Sequence, residues 1–282
     1  MPVCNSGRGG VGAGKSSANL DTPRPVRPDA TLPFPVVSPA AVLMALPLLS
    51  ATLAKLLEPA HELFLLPSAW IVVTIAYLVG AIPFGLLIAK RVKGIDLRTF
   101  GSGNIGTSNA VRAMGRGWGF VVFSLDFLKG FLPVLACHQL VGDHAETVPL
   151  LQVLTGTAAV VGHCFPIYLG FRGGKGVATG CGAIIAIDYR VFLCGGVVWL
   201  VTRLATRYAG LASIMMGITF PIAVLVLDRW QDRRRPELLA GSLLLTLLIL
   251  VRHRSNMKRM LQGTEPHIGE KVDDGRAARH HG

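Results

Sequence analysis

Between residues 69 and 251 the chain passes through seven nearly uninterrupted apolar runs. They lie at roughly 69–89, 118–141, 148–169, 177–187, 191–202, 208–227 and 237–251. A run of about 20 apolar residues is long enough to cross the hydrocarbon of a bilayer as a helix. Backbone groups placed in lipid must find their partners within the protein, which makes each run a helix. Charged residues are 16% of the chain, against about a quarter in a soluble domain, and they cluster between the runs. The pattern specifies an all-α, polytopic membrane protein with a seven-helix core. The fourth and fifth runs are only about 11–12 residues long, below the usual spanning length. Either their ends extend through flanking polar residues, or they form a re-entrant pair around a protein-lined cavity.

The loops set the orientation. One set carries fourteen Lys and Arg residues, in 90–116, at Arg172 and Lys175, at Arg203 and Arg207, and in 252–259. The opposite set carries five, Arg190, Arg229 and Arg233 to Arg235. The positive-inside rule puts the first set in the cytoplasm. The Arg233–Arg235 cluster argues mildly the other way. The net charge of +12 therefore reads as cytoplasmic loops and anionic lipid, not nucleic acid.

The remaining sequence divides simply. Residues 1–38 are rich in Gly, Pro, Ser and Arg and read as a disordered basic extension. Gly9 to Ser16, GGVGAGKS, fits the P-loop pattern literally. It lacks the preceding strand and following helix that such a loop needs. Residues 39–68 hold a further apolar segment, 39–57, that either spans or lies at the interface. The membrane domain is 69–265, and 266–282 is a flexible tail. The five cysteines form no C-x-x-C pair, and no cysteine–histidine–carboxylate spacing suggests a disulfide framework or a metal site. No cofactor is implied.

Three polar stretches fall on the same, cytoplasmic face. Gly101 to Arg112 reads GSGNIGTSNAVR. A helix starting near Ile105 puts Ser108 and Arg112 on one face with Asn109 beside them, and an Arg fork suits a phosphate. Phe165 to Thr179 reads FPIYLGFRGGKGVAT. Its glycines let the backbone turn and aim N–H groups at one object. The apolar run restarting at Val177 places a helix N-terminus beside that turn, which favours an anion. Arg172 and Lys175 add full charges. The same stretch also reads as a basic loop that only enforces topology. Arg252 to Asn256 reads RHRSN. His253 and Asn256 are helical neighbours; His253 is a candidate general base, and Asn256 could fix its tautomer or donate to an oxyanion. A histidine at a span end is also often an interfacial residue. Together the stretches fit acyl transfer to a phosphorylated acceptor at the water–lipid boundary. They equally fit a carrier of organic phosphate or lipid, although the inverted repeats expected of a transporter are not evident.

The order GSGNIG-x-x-N, then GH-x-FP with FRGGKGVAT, then RH-x-x-N ending in G-x-E resembles the PlsY family of bacterial membrane glycerol-3-phosphate acyltransferases, over about Tyr77 to Glu265. The resemblance implies a seven-helix fold with its active site on the cytoplasmic side of the bacterial inner membrane. It implies transfer of a fatty acyl group from acyl phosphate to the sn-1 hydroxyl of glycerol 3-phosphate. The partners are then glycerol 3-phosphate, acyl phosphate and membrane lipid, with no nucleic acid, for a monomer or weak oligomer. Neither acyl-CoA, acyl carrier protein nor a metal is implied. The first family motif falls on Ser102, Asn104, Asn109 and Arg112, with Ser102 and Arg112 holding the acceptor. The glycine motif, Gly173, Gly174, Lys175 and Gly176 with Arg172 beside it, embraces the acyl phosphate. His253 and Asn256 fall at the reacting centre, and Glu265 is structural. Departures are Gly106 to Asn109, where the family often reads GATN, and Gly210 in place of a common serine. That leaves Ser213 as the nearby hydroxyl.

Overall fold

A computed structural model describes residues 61, 63, 64, 66–140 and 147–267. The Gly9–Ser16 stretch, the 39–57 run and the tail from 268 lie outside the described residues. Among the described residues every regular element is helical. The main ones are α1 (Pro67–Gly80), α2 (Phe84–Lys93), α3 (Thr107–Met114), α4 (Arg116–Leu135), α5 (Val148–Cys164), α6 (Val177–Ile187), α7 (Tyr189–Thr206), α8 (Ala209–Trp230), α9 (Pro236–Arg252) and α10 (Arg254–Leu261).

Among the described residues five segments are long and apolar enough to cross a membrane, and the pair α9–α10, bent by 51° at His253, makes a sixth if counted as one span. The first span is two helices, because Pro83 lacks an N–H and biases Ile82 away from helical geometry. The chain resumes at Phe84, and the Ile82 carbonyl at the break accepts from the Lys129 ammonium of α4 at 3.0 Å.

The two short runs resolve differently. The fifth is no short helix: α7 extends through Tyr189 and Arg203 to 18 residues. The fourth stays at 11 residues as α6, yet it joins both ends of the bundle. At its start, the preceding loop is tied to the end of α9, where Arg252 donates to the carbonyls of Gly173 and Gly174. At its far end, Asp188 accepts from Arg235 at the beginning of α9, at 2.5 Å. Then α7 returns to the first end, where Tyr208 stacks on His267 at 4.5 Å. A re-entrant pair would bring both ends of the α6–α7 unit back with its turn inside the bilayer; the Asp188 turn instead reaches the opposite end. A helix of 11 residues rises only about 16 Å, and polar loops at each end cover the remaining thickness.

Those far-end contacts also explain the arginines that sat on the wrong side of the charge count. Asp188 caps α7 through the Arg190 amide at 2.9 Å and pairs with the Arg190 side chain at 3.1 Å. Arg235 bridges Asp188 and Asp228. Two of the five opposing cations are thus neutralised within the protein.

Close packing holds α6 in place. A Cβ on Gly130 of α4 would lie 2.0 Å from the Thr179 carbonyl of α6, and one on Gly182 would lie 2.1 Å from the Phe127 carbonyl. The two backbones touch, as small residues allow in lipid. Gly130→Leu forces these helices apart. We expect it to cost about 3 kcal/mol, read as early thermal unfolding of the detergent-solubilised protein, while Cys194→Ala on exposed α7 leaves the melting temperature unchanged.

Candidate active site

The three polar stretches meet at one end of the bundle. In the first, Asn109 is 1% exposed and every polar atom of its amide is engaged. Its Oδ1 accepts from the Ser102 amide at 3.1 Å, and its Nδ2 donates to the carbonyls of Leu97, Phe100 and Asn104. Asn109 therefore ties the loop into shape, and the geometry does not support the ligand contact expected of it. Asn104 forms a local turn, its Oδ1 accepting from the Gly106 amide at 2.8 Å. This frame leaves Ser102 exposed and Arg112 half-buried on α3.

The glycine loop departs from expectation at two amides. Gly173 N–H donates to the Cys164 carbonyl at 3.1 Å and Gly174 N–H to the His163 carbonyl at 3.0 Å. These two amides fasten the loop to the end of α5 and are not aimed at a ligand. The donors left for an anion are the Lys175 ammonium and the first turn of α6, whose amides have no intrahelical acceptor. Gly176 makes the turn at φ +79°, a conformation open to glycine at little cost. Arg172 stands exposed at the rim.

The third stretch supplies the rest. Lys175 donates to Asn256 Oδ1, Asn256 Nδ2 donates to Glu265 Oε1 at 2.6 Å, and Arg259 pairs with Glu265 Oε2 at 2.7 Å. Asn256 thus bridges Lys175 and Glu265, and the tautomer of His253 is set elsewhere. His253 Nδ1 lies 2.8 Å from the Ile249 carbonyl. A carbonyl only accepts, so Nδ1 carries the hydrogen and Nε2 holds the lone pair. The ring is 3% exposed. Gly210 of α8 lets Asn256 approach, since a Cβ there would lie 3.0 Å from Asn256 Nδ2. Ser213, one turn on, is buried and its hydroxyl donates to the Ala209 carbonyl at 2.9 Å.

Sequence reasoning passed over Arg252 as a site residue because His253 beside it carried the chemistry. Its guanidinium holds the glycine loop with bonds of 2.9 and 2.6 Å and lies over the Phe165 ring at 5.3 Å. The signal was its place in RHRSN, one residue from the proposed base. Burial pulls the Lys175 ammonium down to about 8, opposed by Glu265 and assisted by Arg259, Arg112 and Arg252. That Arg112 acts on Lys175 shows the first stretch within electrostatic reach of the other two.

Such a site, with cations, a helix N-terminus and an oriented imidazole at the end of an apolar helical bundle, suits the binding of an anionic substrate beside a membrane. Residues 70–263 match the family described as glycerol-3-phosphate acyltransferase. The glycerol-3-phosphate acyltransferase of Shouchella clausii is 40% identical over 200 residues, 71% of this chain and 95% of its own. That of Dinoroseobacter shibae is 44% identical over 196 residues, 70% and 91% of the two chains. A crystal structure of PlsY, an integral membrane glycerol 3-phosphate acyltransferase in its glycerol 3-phosphate form, aligns with TM-score 0.64 at 41% identity, over 72% of this chain and 96% of that one. The lysophosphatidic acid form aligns at 0.62 and 40%, over 71% and 95%. The chain belongs to the glycerol-3-phosphate acyltransferase family.

Two outcomes follow from this geometry. Arg252→Gln removes two charge-assisted bonds to the loop, each worth about 1.5–3 kcal/mol, so the melting temperature should fall and kcat/KM of the protein that remains folded should drop at least about tenfold. As pH rises through about 8, Lys175 in the unliganded enzyme loses its proton and with it the attraction for a phosphate. The kcat/KM of a phosphate-bearing substrate held by Lys175 should therefore decline above that pH, and Lys175→Arg, which stays charged, should lose that limb.

Proposed function

We propose that the chain moves a fatty acyl group from acyl phosphate to the sn-1 hydroxyl of glycerol 3-phosphate, releasing 1-acyl-glycerol 3-phosphate and inorganic phosphate. The observation that carries the reading is the joining of the second and third stretches, through Lys175 to Asn256 and Arg252 to the Gly173 and Gly174 carbonyls, with Arg112 of the first near enough to help depress the Lys175 ammonium. Two anionic substrates brought together need cations contributed from more than one side. The relatives are glycerol-3-phosphate acyltransferases, and the two forms of the related PlsY structure, glycerol 3-phosphate and lysophosphatidic acid, correspond to this reaction's acceptor and product.

In this reading Ser102 and Arg112 hold the glycerol phosphate at the water side, assisted by the frame that Asn104 and Asn109 build. Lys175 and the first turn of α6 hold the phosphate of the donor, and Arg172 at the rim attracts both anions. The acyl chain lies toward the lipid. The attacking hydroxyl forms the new ester bond to the acyl carbon, and the bond from that carbon to the phosphate oxygen breaks. His253 Nε2, the ring nitrogen with the lone pair, accepts the hydroxyl proton, while the Ile249 carbonyl keeps the ring oriented. Asn256, held between Lys175 and Glu265, keeps the donor's cation in place. Acyl phosphate is already activated, so alignment and charge stabilisation account for most of what the protein must supply. Ser213, one turn from Gly210, keeps its hydroxyl on the Ala209 carbonyl.

The side and compartment belong to the same proposal. The preponderance of Lys and Arg on the loops flanking the site supports a position at the cytoplasmic face of a bacterial inner membrane, where glycerol 3-phosphate is soluble and the ester product enters phospholipid synthesis. One chain supplies every group named.

Purified protein in detergent, given labelled glycerol 3-phosphate with a chelator present, should form lysophosphatidate from palmitoyl phosphate and none from palmitoyl-CoA. Product from palmitoyl-CoA alone would overturn the donor assignment. His253→Gln should lower kcat about 100-fold or more, the usual range for a lost general base. Near-normal turnover in a folded variant would remove His253 from that role.

A further inference from the structure

One buried polar cluster among the described residues takes no part in the chemistry above. Asp126 and Lys129 of α4 and His163 of α5 are 2%, 3% and 5% exposed. Lys129 Nζ lies 2.7 Å from Asp126 Oδ1, and His163 Nδ1 lies 3.6 Å from that same oxygen. A buried ion pair is weak evidence for stability, since an apolar replacement often does as well. The position of its third member points to another role.

The other edge of the His163 ring faces the glycine loop. A Cβ built on Gly174 would lie 2.0 Å from His163 Nε2, 2.8 Å from Cδ2 and 2.9 Å from Cε1, so its three nearest neighbours all belong to this one ring. The backbone of the same histidine accepts the Gly174 N–H at 3.0 Å. Gly174 is thus held twice by His163, once by its carbonyl and once by its ring. The next residue is Lys175, and α6 starts two residues later. Asp126 also receives the Thr179 hydroxyl of α6 on its carbonyl at 2.9 Å, so the cluster touches the loop and the helix it leads into.

We propose that His163, steadied by the Asp126–Lys129 pair, is a positioning residue for the donor loop. Its ring fills the space beside Gly174 and so sets where Lys175 and the first turn of α6 present their donors. The inference rests on the reading of that loop as the acyl-phosphate site. It makes Gly174 and His163 a complementary pair, in which the room taken by one side chain is the room denied to the other.

A double-mutant cycle on the full-length detergent-solubilised enzyme tests this. Gly174→Ala and His163→Ala should each raise KM for palmitoyl phosphate about tenfold or more, with KM for glycerol 3-phosphate within about threefold of wild type and kcat less affected. Combining them should restore about tenfold or more of the kcat/KM lost in Gly174→Ala, because the new methyl enters the space that the ring has left. Losses that simply multiply would overturn the proposal, as would equal changes in both Michaelis constants. Should Gly174→Ala fail to fold, recovery of the folded protein in the double variant supports the pairing and continued failure overturns it. A wild-type enzyme that turns over no palmitoyl phosphate would sink the donor reading instead.

Discussion

Lys129 places a positive charge inside an apolar bundle, and the arrangement around it ties four chain segments together. The ammonium needs an acceptor and a counter-charge, because an unpaired ion in that setting costs several kcal/mol. It takes the Ile82 carbonyl at the break of the first span and the Asp126 carboxylate one turn away on its own helix. The backbone of Asp126 receives Thr179 of α6, and its carboxylate faces His163 of α5. The broken span, α4, α5 and α6 are thereby registered against one another along their lengths. Close packing at Gly130 and Gly182 already fixes α6 against α4, and the polar contacts extend that register to α5 and the broken span.

From that register the site follows. With α5 and α6 fixed, the loop between them has few ways to close, and Arg252 and the amides of Gly173 and Gly174 hold it in one of them. The bend at His253 lets α10 lie across the end of the bundle, which brings Asn256 to Lys175 and Glu265 to Asn256. The reacting groups come from loops and helix ends, and the buried polar contacts make those ends rigid.

Much of this was legible in the sequence because lipid imposes a simple rule on hydropathy. The apolar runs fell within a few residues of α4, α5, α6, α8 and α9, and the three polar stretches were rightly put on one face. Length left two readings open for the short runs, and for α7 extension through flanking polar residues is the one that holds. Tyr189 and Arg203 interrupt the apolar count of α7 but not its helix. For α6, anchoring at both ends makes up for missing turns. Within the site, residue type pointed to Lys175 and His253, whose chemistry is in the side chain itself. It could not show that Asn109 is enclosed by four backbone partners, or that Asn256 serves Lys175 while a carbonyl orients His253. Those roles depend on which backbone groups a fold leaves unsatisfied, and sequence spacing does not record them.

The fastening of the glycine loop has an electrostatic consequence. The end of α5 is the negative pole of its peptide dipoles, concentrated on its last carbonyls, and it lies beside the space assigned to a phosphate. An anion there would be repelled by those oxygens. Gly173 and Gly174 cover two of them, on Cys164 and His163, so the repulsive pole is masked by the loop that carries Lys175. The pole left uncovered is the positive one of α6. Two antiparallel helices meeting at a turn ordinarily present opposite fields that cancel, and here the turn rectifies them, so that the ligand meets mainly the attractive half.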